Sequence, residues 1–210
     1  MNKHSLLLLL VVVASSACSK PPPLDDLGTV PEWTATSQTG EPVGTAQLAG
    51  KPYAVNFMFT SCPSSCPPLA KATGDLQQRV KKWSPTPPHA AHLVTITVDP
   101  ENDTPEKLAA FGESYEADPA MWKMARSASY ADMEDLVTKG FFLPIMRRDL
   151  LKAKTDEERL ALLKNPTPLD TAHSVHFMLI DGEGVIRGRF DKSDDGLDRL
   201  DAALKHLAGQ

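Results

Sequence analysis

YAVNFMFTSCPSSCPP, residues 53–68, decides how the rest of the chain is read. Tyr53 to Phe59 is a continuous apolar run, the pattern of a strand covered on both faces. It ends in Cys62 and Cys66, each followed by proline, where a buried strand gives way to a helix start. Three residues separate the thiols, one more than in Cys-x-x-Cys redox motifs, and both sulfurs fall on one side if the turn approaches helical geometry. Such a pair closes into a disulfide or holds a soft metal ion, and the stretch alone leaves both open. With Cys66 in the first helical turn, unpaired N–H groups and the helix dipole are expected to lower its pKa and favour thiolate.

Downstream, Leu69, Ala72, Leu76, Val80 and Trp83 form one apolar helical stripe, weakened by Gly74 by about 1 kcal/mol relative to alanine. Pro85, Pro87 and Pro88 end it. His92 to Val98, HLVTITV, reads as the next strand, and Asp99-Pro100 ends it at a strand C-terminus, where open α/β sheets place functional loops. Thr104 and Pro105 are a helix cap and first helical residue, with Leu108, Phe111 and Tyr115 on one face. Ser129 caps a short helix containing Met133, Leu136 and Val137, and Phe141 to Met146 reads as extended. Arg147 to Asp170 is a charged insertion with a helix near Asp156 to Leu163, and Pro166 and Pro168 mark the return to the core. The chain closes with a strand Ser174 to Ile180, a turn Asp181 to Gly184, a strand Val185 to Phe190, and a helix carrying Leu197, Leu200, Leu204 and Leu207. Upstream, Trp33 to Thr36, the turn Thr39 to Pro42 and Val43 form a hairpin over the core. A cysteine pair between the first central strand and its helix, with a closing hairpin, predicts an α/β thioredoxin-like fold with an N-terminal hairpin extension and a charged insertion before the last hairpin.

With 210 residues, 41% apolar and 23% charged, the chain has room for one domain with a real core. A net charge of −5 gives no broad basic surface and argues against nucleic acid as a partner. Lys3, the apolar run Leu6 to Val13 and the small residues Ala14, Ser15, Ser16 and Ala17 read as an export signal. At about 1.5 Å per residue, that run falls far short of the roughly 30 Å needed to span a bilayer. Small residues ending at Cys18 are similar to a bacterial lipoprotein signal, although Ser15 stands where an aliphatic residue is favoured; the alternative is an ordinary signal beside a free cysteine. The expected boundaries are a signal at residues 1–17, a proline-rich lipid-anchor tether at 18–30 and a folded domain at 31–210. The expected location is the membrane surface facing the periplasm or cell exterior. With Cys18 lipidated, Cys62 and Cys66 remain as one pair in an oxidising compartment.

Two thiolates select soft or borderline ions such as Cu(I) and Zn(II) but need a further ligand to be selective. Of six histidines, His4 lies in the signal, His89 and His92 flank a strand start, and His206 lies on the last helix. His176 falls inside a strand and reads as structural. His173 stands just before that strand, in a loop that faces the cysteine turn in this architecture. Its position alone leaves ligand and packing roles open.

FMFTSCPSSCPPL, TVDPENDTPEKLAAF and AHSVHFMLIDGEGVIRGRF, in that order, resemble the Sco/SenC family of membrane-anchored copper proteins that help assemble the binuclear copper site of cytochrome c oxidase. The resemblance runs from about Pro31 to about Leu207. It implies metal ligands at Cys62, Cys66 and His173, and a copper ion carried as Cu(I), Cu(II) or both. It places Asp99 near the metal loop as a supporting or docking group, against the plainer reading of an aspartate that ends a strand. The pattern departs at Ala172, where the family has an acidic residue, with Asp170 farther off, and in the length of the insertion.

The implied function is a copper metallochaperone with redox-controlled cysteine ligands, tethered to the membrane by lipid. Its partner would be a copper-receiving oxidase subunit or another periplasmic copper or thiol protein. The rival is a periplasmic thiol-disulfide oxidoreductase that reduces partner cysteines before metallation, with Cys62 as nucleophile and Cys66 as resolving thiol; either way a conventional enzyme is not expected. A peroxidase-like redoxin ranks last, since no arginine lies close to Cys62 in sequence. A disulfide that only staples the turn would close too short a loop to need one.

Overall fold

The computed structural model describes residues 24–167 and 170–209. The expected signal, Cys18 and Pro168 lie outside the described residues. The elements are β1 (Thr34–Ser37), β2 (Pro42–Gly44), α1 (Thr45–Leu48), β3 (Tyr53–Met58), α2 (Cys66–Trp83), β4 (His92–Thr97), α3 (Pro105–Glu113), β5 (Trp122–Arg126) and α4 (Tyr130–Asp135). They continue with β6 (Ile145–Arg147), α5 (Asp156–Lys164), β7 (Thr171–His173), β8 (Phe177–Ile180), β9 (Ile186–Phe190) and α6 (Asp194–Leu207).

β3 is buried along its whole length because it lies inside a seven-stranded sheet of order β2-β1-β5-β4-β3-β8-β9, with strands paired on both its sides. It pairs parallel with β4 and antiparallel with β8, and β9 returns antiparallel to β8. The unit β3-α2-β4 and the unit β8-β9-α6 thus form a thioredoxin-like core of order β4-β3-β8-β9. Its apolar surfaces are buried by Leu69, Leu76 and Val80 of α2 and by Leu197, Leu200 and Leu204 of α6. The two helices pack together, with Trp83 Nε1 donating to Asp201 at 2.9 Å.

Asn56, the one amide side chain in β3, is 1% exposed and bonded at both its oxygen and its nitrogen. Trp122 Nε1 donates to the Thr95 hydroxyl, which donates to Asn56 Oδ1, while Asn56 Nδ2 donates to Thr73, each within 2.8 Å. This line ties β5, β4, β3 and α2 in register, since each buried group left without its partner would cost about 1–3 kcal/mol.

Three elements differ from the sequence expectation. β5 extends the sheet beyond β4, parallel to it, and carries the β1-β2 hairpin on its far side; no strand was expected there. The expected extended run Phe141 to Met146 forms a strand only at Ile145–Arg147. The expected strand Ser174–Ile180 is shortened: the chain bends through Ser174 to His176 and only Phe177–Ile180 joins the main sheet, while Thr171–His173, where a loop was expected, pairs with β6 in a separate two-stranded sheet. The end of the expected tether is also bound. Asp25 and Leu27 donate backbone N–H groups to Arg187 and Ile186, covering the open edge of β9.

Candidate metal centre

The cysteine turn leaves the end of β3 and enters α2 with Cys66 as its first residue. Pro67 and Pro68 follow, so the helix start offers few other N–H groups. The Cys66 backbone N–H points to Cys62 Sγ at 3.4 Å, and the Ser65 hydroxyl lies 3.6 Å from the same sulfur. Cys62 is 9% exposed and Cys66 fully buried, and both thiols are free.

His173 ends β7, opposite Ile145 of β6. Its Nδ1 lies 2.9 Å from the Ser174 carbonyl, an acceptor only, so Nδ1 carries the proton. Nε2 is left with a bare lone pair, 3.5 Å from Cys66 Sγ. The edge of the ring rests against Phe59 at 5.8 Å. The two sulfurs and a ring nitrogen all lie within 4.8 Å of one another, and no other such group of three occurs among the described residues.

Burial alone would push the Cys62 thiol up. Contact with the His173 ring, and hydrogen bonds from Cys66 and the backbone N–H groups of Ser64 and Cys66, outweigh it and bring the group down to about 5. Cys66 moves the opposite way: burial pushes its thiol up, and the neighbouring Cys62 sulfur pushes it further. This corrects the expectation that Cys66 would be the thiolate. The helix-start N–H points backwards at the preceding cysteine, so Cys62 receives its stabilisation.

Asp99 does not reach the cysteine turn through a hydrogen bond. It follows the end of β4, its carbonyl accepting from the Asn102 and Asp103 backbone N–H groups and its carboxylate, at 2.8 Å, from the Asn102 amide. Burial pushes its carboxyl up. The aspartate that touches the turn is Asp103, 1% exposed, which accepts from the Thr60 N–H at 3.1 Å and from the Thr60 hydroxyl at 2.5 Å. In sequence Asp103 reads as an ordinary loop residue before a helix cap; only the fold brings it under Thr60.

Asp170 lies beside Arg148. His176 Nδ1 faces the Ser174 hydroxyl at 3.4 Å, and His89 donates Nδ1–H to the Ser84 carbonyl at 2.8 Å. His92 pairs with Tyr53, at the end of β3 away from the cysteine turn; burial, Lys51 and Lys123 bring it down to about 4. His206 is exposed on α6. Only His173 joins the thiols.

Fold and cluster together define a thioredoxin-like protein whose two-cysteine turn is completed by an imidazole into a three-donor set. The sequence model of the SCO1/SenC family matches residues 23–209, and the chain belongs to that family. It is 30% identical over 112 residues to a SCO1 protein homolog of Bacillus subtilis, covering 53% of this chain and 56% of that one. The matched stretch spans about half the length of the curated relatives. Among solved structures, a SCO1/SenC family lipoprotein from Bacillus anthracis str. Ames is 25% identical, with a TM-score of 0.68 over 90% of this chain and 98% of that one. Bradyrhizobium japonicum ScoI with copper bound shares the fold at 20% identity, with a TM-score of 0.65 over 86% of this chain and 99% of that one.

Proposed function

We propose that this chain is a copper metallochaperone that delivers copper to the binuclear copper site of a respiratory cytochrome c oxidase, held by lipid on Cys18 at a membrane surface facing the periplasm or cell exterior. The observation that carries this reading is the three-donor cluster with its imidazole lone pair turned inward. Some point lies within about 2.8 Å of all three atoms so spaced, close to the roughly 2.0–2.3 Å that zinc takes to nitrogen and sulfur. Two sulfurs and one imidazole suit a soft ion, Cu(I) above all. Family membership and the copper-bound Bradyrhizobium relative support the choice of copper.

In this mechanism Cys62 enters as thiolate, Cys66 gives up its proton to solvent as copper binds, and His173 supplies the lone pair of Nε2. The site opens beside a groove lined by Ile145, Met146, His176 and Arg189, through which a recipient's ligands reach the ion and replace the three donors one at a time. Oxidation of the thiols to a disulfide removes two donors and switches binding off.

The second reading, a thiol-disulfide oxidoreductase, is favoured by the asymmetry of the pair: a slightly exposed low-pKa thiol at Cys62 and a buried one at Cys66 fit nucleophile and resolving thiol. His173→Ala separates the two. In the full reduced chain it is expected to abolish tight Cu(I) binding in competition with a chelator of known affinity, while disulfide exchange with a small dithiol stays largely intact. Equal copper affinity in variant and parent would remove the metal-site reading.

A further inference from the structure

The donors stand on two separate sheets. Cys62 and Cys66 follow a strand of the main sheet, while His173 ends β7 of the two-stranded sheet, and no strand pairing joins the two sheets. Something other than a β-ladder must therefore set the distance between them.

We propose that the turn Asp99 to Asp103 is a bracket that sets this spacing, with Asp103 positioning the cysteine turn and Asn102 positioning the strap that carries His173. The bracket takes copper as its ligand from the reading above, but its geometry stands apart from that reading. On one side, the buried Asp103 carboxylate accepts three hydrogen bonds. Two come from Thr60, two residues before Cys62, and the third from the Thr97 hydroxyl at 2.5 Å, which ties the carboxylate to the end of β4. On the other side, the Asn102 amide donates to the Leu163 carbonyl at 2.9 Å as well as to Asp99. Leu163 lies in the last turn of α5, where carbonyls lack helical partners. The carbonyl before it, Leu162, accepts from Arg147 Nη2 at 3.0 Å. Arg147 is a residue of β6 paired with Thr171 of β7, two residues before His173.

A continuous line of contacts thus runs from Cys62 through Thr60, Asp103, Asn102 and the end of α5 to Arg147, and across the β6-β7 ladder to His173. The two arms of the bracket are adjacent residues, so they move together. Asp103 and Asn102 are positioning residues: neither touches the donors, and each acts through another residue.

The test uses the full reduced chain, with Cu(I) supplied anaerobically from a competing chelator. Asp103→Asn and Asn102→Ala are each expected to lower affinity by about 10–100-fold, the range for groups that orient ligands. The decisive reading is the His173→Ala background. There Asn102→Ala should add no further loss, because the ligand it orients is gone, whereas Asp103→Asn should still weaken what binding the thiols retain. Thr60→Val reaches the Asp103 contact from the other side and serves if Asp103→Asn does not fold, as judged by circular dichroism and thermal unfolding.

A second readout needs no metal. The rate at which iodoacetamide alkylates Cys62 in the apo-protein should change in Asp103→Asn or Thr60→Val and stay unchanged in Asn102→Ala. Failure of the parent to bind Cu(I) would remove the copper reading and leave the alkylation pattern to judge the bracket. Unaltered alkylation in Asp103→Asn, or an Asn102→Ala loss of equal size with and without His173, would overturn the bracket.

Discussion

Cys62 and Cys66 are four residues apart, yet their protons are held very differently. A backbone N–H at the start of α2 points at Cys62, and the Cys66 thiol is enclosed by the core. Between about pH 5, the folded value for Cys62, and the ordinary thiol value of 9.0, the folded chain binds fewer protons at Cys62 than the unfolded chain. Its contribution to stability therefore grows as pH rises through that window and is lost as pH falls toward 5. Cys66, pushed up, behaves oppositely: its contribution is present below the ordinary thiol value and is lost at higher pH. Ultraviolet thiolate absorbance of the reduced apo-protein should rise in one step near pH 5, with the second step only above the ordinary thiol range. The low step should vanish in Cys62→Ser; its persistence there would assign the thiolate to Cys66 and defeat the structural account. The i, i+4 spacing made a shared site legible in sequence, but it did not say which sulfur the helix start would face. That depends on the direction of one N–H bond in a turn.

The elements that periodicity identified correctly are those with a long apolar pattern, two-sided in β3 and β4 and one-sided in α2 and α6. β5 was missed because Trp122-Lys123-Met124-Ala125-Arg126 has neither alternation nor β-branched residues; it is a strand because β4 and β1 pair with it on both sides. The expected strand Ser174 to Ile180 was too long, and a strand was missed at Thr171 to His173, for a related reason: Ser174 to His176 carry no turn signal in sequence, yet the segments on either side of them find their partners in different sheets. The charged insertion also holds a buried pair that its composition hid. Arg147, its side chain 1% exposed, makes a two-pronged bond to Asp149 at 2.9 and 2.6 Å. Arg147→Met, which leaves Asp149 buried without its partner, should cost about 3–5 kcal/mol, while the double variant R147M/D149L should recover most of that loss. Calorimetric unfolding checks it: at about 2–4 °C per kcal/mol for a chain of this size, the single variant should melt roughly 6–20 °C lower. A single variant that melts with the parent would show that the pair does not hold the insertion.

For the whole molecule, a ligand that binds the folded chain alone stabilises it by mass action, about 2.7 kcal/mol at a free concentration one hundred times its dissociation constant. Cu(I) at that excess should raise the melting temperature of the reduced chain by roughly 5–10 °C. The oxidised chain and His173→Ala should show no such rise at the same copper concentration, and an equal rise in the oxidised chain would exclude the thiols as ligands. Much of this molecule was legible before its fold. A seven-residue run apolar but for Asn56, two thiols one helical turn apart and two amphipathic helices are local patterns, and local patterns follow from side-chain chemistry and the periods of helix and strand. Those patterns determined the class of fold, the candidate donors and the chemistry they favour. Only the tertiary structure decided that His173 meets the thiols from a second sheet, that Asp103 rather than Asp99 supports the cysteine turn, and that the thiolate sits on Cys62. Each depends on groups far apart in sequence, or on the orientation of a single bond, being brought within a few ångströms by packing, and no period along the chain records that.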